Sequence, residues 1–280
     1  MIIESIKQKL GTKNVNTWCP GCPNFMILES VKRTIAKLVE EGEKSGGKIR
    51  VEDFAMVTGI GCHAKIFDYL NLSGIYGLHG RVLPTALGIK LGNPKLNVLG
   101  FSGDGDAYAE GMEHFIHNCR YNADMTYIVH DNRAFSLTTG QATPTSQQGY
   151  KTKSEPLGEM FEPINPIKLA LVSGATFIAR CNAKDITHTS EILEKAIKHK
   201  GFSFVEIIQD CLIFNVGDNF DKNLYKIEDN KEDMGKAMKL ADEFDYNHLN
   251  EKVPIGVIYQ ADKPVLNEKW KILCDAGKKK

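Results

Sequence analysis

The sequence predicts an α/β protein whose sheet is mostly parallel and carries helices on both faces. Three observations lead there. Apolar runs of strand length alternate with segments whose apolar residues recur every three to four positions. Between Leu96 and Val129 a strand, a turn, a helix and a second strand follow one another as a βαβ unit. Glycine-rich turns stand just past strand ends, at Thr58-Gly59-Ile60-Gly61 and at Ser102 to Asp106, where such sheets place their ligand sites.

In chain order, Asn24 opens a helix with Leu28, Val31, Ile35 and Leu38 on one face, and Glu41 to Lys48 reads as a polar loop. Phe54 to Val57 is a buried strand. Leu83 to Leu91 is a short helix that tolerates Pro84 in its first turn and stops at Gly92-Asn93-Pro94. Leu96 to Phe101 is a strand, Ser102 to Asp106 a tight turn, and Met112, Phe115, Ile116 and Cys119 mark one helix face before a strand at Met125 to Val129. The crossover makes these two strands parallel, with both carboxyl ends on one edge of the sheet. As neighbours about 4.8 Å apart, they would let Asp104 and Asn132 converge on one ion. A helix at Pro166 to Val172, a strand at Ala175 to Ala179, a helix from Asp185 to His199 and a strand at Phe202 to Ile208 complete a core domain of residues 1–211. Residues 212–280 are more polar, carry one amphipathic helix (Met234, Ala237, Ala241, Phe244), and read as an extension packing on the core or on a partner.

The chain has 280 residues, and its 35 basic and 35 acidic side chains cancel. No global field therefore favours nucleic acid or an anionic membrane, and any phosphate site must be local. No apolar stretch approaches the roughly 20 residues that span a bilayer, and the first residues lack the layout of a signal peptide, so a cytoplasmic location is expected. With seven cysteines, metal ligands or buried thiols are favoured over a disulfide framework.

A glycine-rich turn lets backbone N–H groups approach a phosphate, and the following helix points its positive end at the same place. The carboxylate of Asp104 and the amide of Asn132 then suit Mg²⁺. Other readings of Gly103-Asp104-Gly105-Asp106 fail on spacing. Gly100, Gly103 and Gly105 do not form a dinucleotide fingerprint, and no Gly-Lys-Ser/Thr follows. An EF-hand loop from Asp104 would put Ala109 and Phe115 where Gly and Glu are required. Cys19 and Cys22 have the C-x-x-C spacing of a zinc site, an iron–sulfur site or a redox dithiol, and spacing alone leaves all three open.

Several blocks, in this order, resemble the β subunits of 2-oxoacid:ferredoxin oxidoreductases. They are Trp18-Cys19-Pro20-Gly21-Cys22, Gly59-Ile60-Gly61-Cys62, Leu78-His79-Gly80-Arg81, Ser102 to Asp106 with Asn132, and Leu137-Thr138-Thr139-Gly140-Gln141. The resemblance runs from about Thr17 to Phe214. It implies thiamine diphosphate bound through Mg²⁺ on Asp104, Asn132 and the carbonyl of Ala134. Gly61, Cys62, His79, Gly103, Gly105, Asp106, Ser136 and Leu137 would line the cofactor. It also implies a [4Fe-4S] cluster on Cys19, Cys22, Cys62 and Cys211, although Asp210 stands where the family usually has Pro. Cys119 and Cys181 remain as buried thiols, and Cys274 lies near the tail.

The implied reaction is oxidative decarboxylation of a 2-oxoacid with coenzyme A, electrons passing through the cluster to ferredoxin. The glutamate that activates the cofactor would come from a larger α, or α and γ, partner. Lys65, Arg81 and Thr139 are the candidates for substrate contact, with pyruvate and 2-oxoglutarate both open. His63 replaces a small residue usual in the family. Two alternatives compete: a non-oxidative thiamine-dependent decarboxylase or synthase subunit, which has no use for the four cysteines, and a non-catalytic metal or electron-transfer module, in which the Gly-Asp-Gly-Asp turn is incidental.

Overall fold

A computed structural model describes residues 2–45, 49–216, 222–247 and 252–270. Its strands are β1 (Phe54–Thr58), β2 (Ser73–Tyr76), β3 (Asn97–Gly103), β4 (Met125–Asp131), β5 (Phe177–Asn182), β6 (Phe202–Ile208), β7 (Leu224–Lys226) and β8 (Val253–Gln260). They form one sheet in the order β2-β1-β3-β4-β6-β5-β8-β7. From β2 to β5 every pairing is parallel, and only β8 runs antiparallel to its neighbour β5. The mostly parallel sheet inferred from the alternation of elements is therefore present.

Residue alternation along the strands splits the core into two layers. On one face Phe54, Met56, Leu99, Phe101, Val205 and Ile207 pack against α1 (Ile2–Lys9), α2 (Asn24–Ser45), α3 (Ile66–Tyr69) and α7 (Ile186–Lys198). On the other, Val57, Val98, Tyr127, Val129, Phe202 and Phe204 meet α4 (Val82–Gly92), α5 (Met112–Tyr121), α6 (Pro166–Ser173) and α8 (Met234–Asp242). A short α9 (Leu266–Lys269) ends the described chain. The expected face of α2 is buried throughout; on α5 Phe115 and Cys119 are buried while Ile116 is exposed, and on α8 Ala237 and Ala241 are buried while Met234 is exposed and Phe244 is buried just past the helix end. Cys119 and Cys181 are buried thiols within these layers.

Three differences from the sequence reading have local causes. The loop expected from Glu41 is helical as far as Ser45, because Lys44 pairs with Glu40 at 2.9 Å and Lys198 of α7 reaches Glu41 at 2.8 Å; residues 46–48 lie outside the described part. The strand expected at Ala175 begins at Phe177, since Gly174 caps α6 at φ +87° and Thr176 is held by hydrogen bonds to Asn122 and His199. The segment after Cys211 supplies β7 and β8 as well as the expected helix. Cys274 lies outside the described residues.

One buried network pins this last segment to the sheet. Arg180 Nε donates to Glu206 at 2.7 Å and its Nη2 donates to the Tyr246 hydroxyl at 3.0 Å, which in turn donates to Glu206 at 2.6 Å. Arg180 and Glu206 are wholly buried, and the guanidinium lies 4.7 Å over the Phe244 ring. Replacing Arg180 by Met would leave an uncompensated buried carboxylate at a cost of about 3–5 kcal/mol. Urea unfolding should show that loss for Arg180→Met and its partial recovery when Glu206→Gln is added. An unchanged midpoint would contradict it.

Candidate active site

Strand register assembles the site. Gly103 of β3 pairs with His130 of β4, and Asp131 pairs with Ile208 of β6. Asp104 and Asn132 therefore leave adjacent strands at the same carboxyl edge, as the βαβ unit required. Thr58 of β1 pairs with Phe101 and Tyr76, which brings Gly59 to Cys62 and Gly77 to Arg81 to the same edge. Instead of the expected tight turn, β3 passes directly into a π-helical turn, Asp106–Glu110, before α5. Such widened turns commonly mark functional sites.

A cleft at this edge is lined by Gly61, Cys62, His79, Gly103, Asp104, Gly105, Asp106, Asn132, Ala134, Ser136 and Leu137. These are all the residues that the resemblance assigned to the cofactor. Asp104 is 2% exposed, and burial pushes its carboxyl up to about 6. The hydroxyls of Thr143 and Thr145 and the backbone N–H of Asn132 face it, the Thr145 bond being 3.2 Å long. Thr145 Oγ1 also lies 3.0 Å from Asp131, and one hydroxyl proton cannot serve both acids at once. Burial, with the Asp104 charge next in weight, lifts Asp131 well above the carboxylate range. Two buried acids with incomplete hydrogen bonding form a pocket that a hard cation would relieve. The remaining donors fit such an ion: Asn132 Oδ1 accepts the Ala134 N–H at 3.2 Å, and the Ala134 carbonyl accepts from the Ser136 hydroxyl at 3.4 Å.

Asp106 has a different task. Its Oδ1 accepts the Gly80 N–H at 2.7 Å, and His63 and His79 each stand 3.5 Å from its carboxylate. Burial works to raise the Asp106 carboxyl, but the facing His63, the Ser102 hydroxyl and the Gly80 N–H together outweigh it and hold the carboxyl below its ordinary value. The glycines around it are required by packing. A Cβ on Gly59 would lie 2.0 Å from Asp106, one on Gly103 2.8 Å from His63, and one on Gly105 2.2 Å from Phe135. Gly103 and Gly105 thus admit side chains from neighbouring loops, an addition to the phosphate access inferred from the sequence.

Sequence reasoning missed the floor of the cleft. His63 (4% exposed), His130 (1%) and Gln209 (3%) line it. Asn24 Oδ1 accepts from Gln209 Nε2 at 3.2 Å and lies 2.8 Å from His130 Nδ1, so His130 carries its proton on Nδ1. Burial holds its pKa well below the usual value and keeps the ring neutral. A His-Asp pair ending the apolar strand Tyr127-Ile128-Val129 was the available signal.

Beside the cleft, a second cavity is lined by Cys19, Cys22, Cys62 and Cys211, which approach from α2's entry turn, the end of β1 and the end of β6. The Cys62 thiol is pushed up to about 11, chiefly by burial, with Lys65 opposing and the other three cysteines adding. Thiols that raise one another in this way would ionise together on a cationic centre. Trp18 Nε1 fixes the Cys62 carbonyl at 2.6 Å, and Gly21 takes φ +80° between the first two cysteines. Asp210, in place of the usual Pro, is paired with Lys184, and Cys211 still reaches the cavity. Among the described residues, no three acid, His or Cys side chains are grouped for a single ion. The four thiols surround a space instead. Cys62, Asn132 and Ser136 belong to the walls of both cavities.

The three substrate-contact candidates do not line the cleft. Lys65 donates to the Thr17 carbonyl at 3.2 Å on the wall of the cysteine cavity, and Arg81 donates to the Glu110 carbonyl at 2.9 Å. Thr139 is exposed at the rim with φ +79°, a strained conformation for a β-branched residue.

Strand-end acid and amide, glycine turn and adjacent cysteines define a cofactor-dependent α/β enzyme subunit, and comparison with known proteins agrees. Residues 59–207 match the C-terminal thiamine pyrophosphate binding domain of thiamine pyrophosphate enzymes, and residues 214–274 match the C-terminal region of the pyruvate ferredoxin oxidoreductase β subunit. The chain is 40% identical over 263 residues to the β subunit of 2-oxoacid:ferredoxin oxidoreductase from Saccharolobus solfataricus, spanning 88% of this chain and 82% of that one. It is 40% identical over 194 residues to the 2-oxoglutarate synthase subunit KorB of Archaeoglobus fulgidus, 69% of each chain. The fold matches a solved structure of 2-oxoglutarate:ferredoxin oxidoreductase from Magnetococcus marinus, with 2-oxoglutarate, coenzyme A and succinyl-CoA bound, at TM-score 0.87 and 30% identity, over 96% of this chain and 90% of that one. The chain belongs to the β-subunit family of 2-oxoacid:ferredoxin oxidoreductases, enzymes that depend on thiamine diphosphate. Among the described residues no helix is long and apolar enough to cross a membrane.

The raised acids make a pH prediction for the cofactor-free protein. Because the folded value of Asp104 lies above its unfolded one, its contribution to stability is full below about pH 4 and is lost as pH rises through about 6. A shift of about two units corresponds to roughly 2–3 kcal/mol. Urea unfolding of the chain and of Asp104→Asn from pH 4 to pH 7 should show the variant gaining relative stability by about that amount. A pH-independent difference would contradict the assignment.

Proposed function

We propose that the chain acts as the diphosphate-binding and electron-collecting subunit of a complex that oxidatively decarboxylates a 2-oxoacid. One 2-oxoacid and coenzyme A give acyl-CoA, CO₂ and a proton, and two electrons pass singly through a [4Fe-4S] cluster to ferredoxin. The observation that carries this reading is the shared wall of Cys62, Asn132 and Ser136, which sets the four-cysteine cavity directly against the cofactor cleft. A non-oxidative enzyme would have no use for that adjacency.

In this reading Asp104, Asn132 and the Ala134 carbonyl hold Mg²⁺, and the turn at Gly103 and Gly105 receives the diphosphate. Bound thiamine diphosphate supplies the nucleophilic carbon and the electron sink that the chemistry needs. This chain's residues place and shield it. Asp106 locks the Gly80 turn, His63 and His130 close the floor, and His79 stands at the wall. Cys19, Cys22, Cys62 and Cys211 hold the cluster, and Lys65 serves them as countercharge as well as being a candidate for a substrate carboxylate. Arg81, bound to the Glu110 carbonyl, and the exposed Thr139 lie outside the cleft lining and would meet substrate only in the assembled complex. A larger α subunit, alone or with a γ subunit, brings the glutamate that activates the cofactor. The 2-oxoglutarate in the names of relatives makes that acid, with pyruvate, the first substrate to test.

The protein purified anaerobically with its partner should contain iron and thiamine diphosphate and should reduce methyl viologen only when a 2-oxoacid and coenzyme A are both present. The single chain should be inactive. Zinc without iron would sink the redox role while leaving the thiamine site standing, and turnover by the single chain would remove the partner from the account.

A further inference from the structure

The turn that delivers Cys211 to the cysteine cavity also touches the cofactor site. Asn215 N donates to the Cys211 carbonyl at 3.2 Å, and Phe214 N donates to Cys211 Sγ at 3.4 Å, so the turn closes around the thiol. From its far side Asn215 Nδ2 donates to the backbone carbonyl of Asn132 at 3.1 Å. The Phe214 ring covers Gly140, where a Cβ would lie 2.9 Å from it, and the Tyr150 hydroxyl donates to the Phe214 carbonyl at 2.7 Å. Gly140 belongs in turn to the loop that starts at Phe135, whose carbonyl accepts the Gly140 N–H at 2.9 Å. The peptide that presents Asn132 to the cleft therefore rests on the turn that presents Cys211 to the cavity.

We propose that Asn215 is a positioning residue that couples the two cofactor sites, so that occupancy of the four cysteines and binding of thiamine diphosphate with Mg²⁺ strengthen each other. The proposal rests on the reading above that Cys211 ligates a cluster and Asn132 a magnesium ion. Fixing the Cys211 thiol fixes a five-residue turn, and through one hydrogen bond that turn restrains Asn132 before the cofactor arrives. Coupling between two binding sites is reciprocal, and a single hydrogen bond places it at the low end of the usual range.

The test uses the anaerobically purified complex. Its affinity for thiamine diphosphate at saturating Mg²⁺ is measured by calorimetry with the cluster present, and again after the iron has been removed with ferricyanide and a chelator that is then washed out. The cluster-loaded complex should bind about fivefold more tightly, or better. Asn215→Asp, which keeps the shape and loses the donor, should bring that ratio close to one at unchanged iron content. Asn215→Ser should do the same without adding a charge. A merely structural asparagine would weaken both forms alike and leave the ratio at its wild-type value, which overturns the proposal. Equal affinities of the loaded and cluster-free wild-type complexes would overturn it too. Iron-free wild-type complex, or wild type that does not bind thiamine diphosphate, would instead overturn the underlying reading and the proposal with it.

Discussion

The structure depends on one electrostatic constraint, a pair of buried carboxyls at the ends of neighbouring strands, which the buried Arg133 guanidinium offsets only in part and which burial still holds above the carboxylate range. Asp104 follows β3 and Asp131 ends β4, and the Thr145 hydroxyl is shared between them. In a cofactor-free chain this arrangement works against folding near neutral pH, because burial favours the protonated acids. The surrounding sheet tolerates it because β3 and β4 are central strands, flanked by β1 and β6 and covered on both faces. Stability concentrated in the two apolar layers holds a site whose own groups are in conflict until a cation binds.

Much of the remaining geometry follows from fixing that point. Asp106, two residues on, is committed to the Gly80 backbone and to His63, which draws the loop after β2 and the loop after β1 against the same edge. The loop after β1 carries Cys62, so locking it for the cofactor also aims a cysteine at the second cavity. The end of β6 brings Gln209 to the floor of one cavity and Cys211 to the wall of the other, two residues apart. A parallel sheet places every strand end that carries chemistry on one edge, and here that edge serves two centres.

The sequence made the strand ends legible because their chemistry is local. The βαβ period set the direction of β3 and β4, the glycines marked the turn, and Asp104, Asn132 and the cysteine spacing named the groups. What it hid depends on distant partners. His130 is held by Asn24 and Gln209, more than seventy residues away on either side, and nothing periodic announces that meeting. Residues after Cys211 read as a peripheral extension because Pro254 and Gly256 interrupt the apolar run that forms strand β8 and its flanks are polar; the neighbouring segment is secured to the sheet by Arg180, Glu206 and Tyr246 from separate elements. Lys65 is near Cys62 in sequence, yet the turn after β1 sends it to the cysteine side. Sequence proximity could not distinguish the two walls.

The central claim is that the buried charge of Asp104 is unfavourable until a cation answers it. The most direct measurement is the thermal unfolding of the partnered complex at pH 7, with and without thiamine diphosphate and Mg²⁺, for the wild type and for Asp104→Asn. The account predicts that the variant is the more stable without cofactor and gains nothing on adding it, while the wild type is stabilised. A variant that starts less stable, or that is stabilised as much as the wild type by thiamine diphosphate and Mg²⁺, would contradict it.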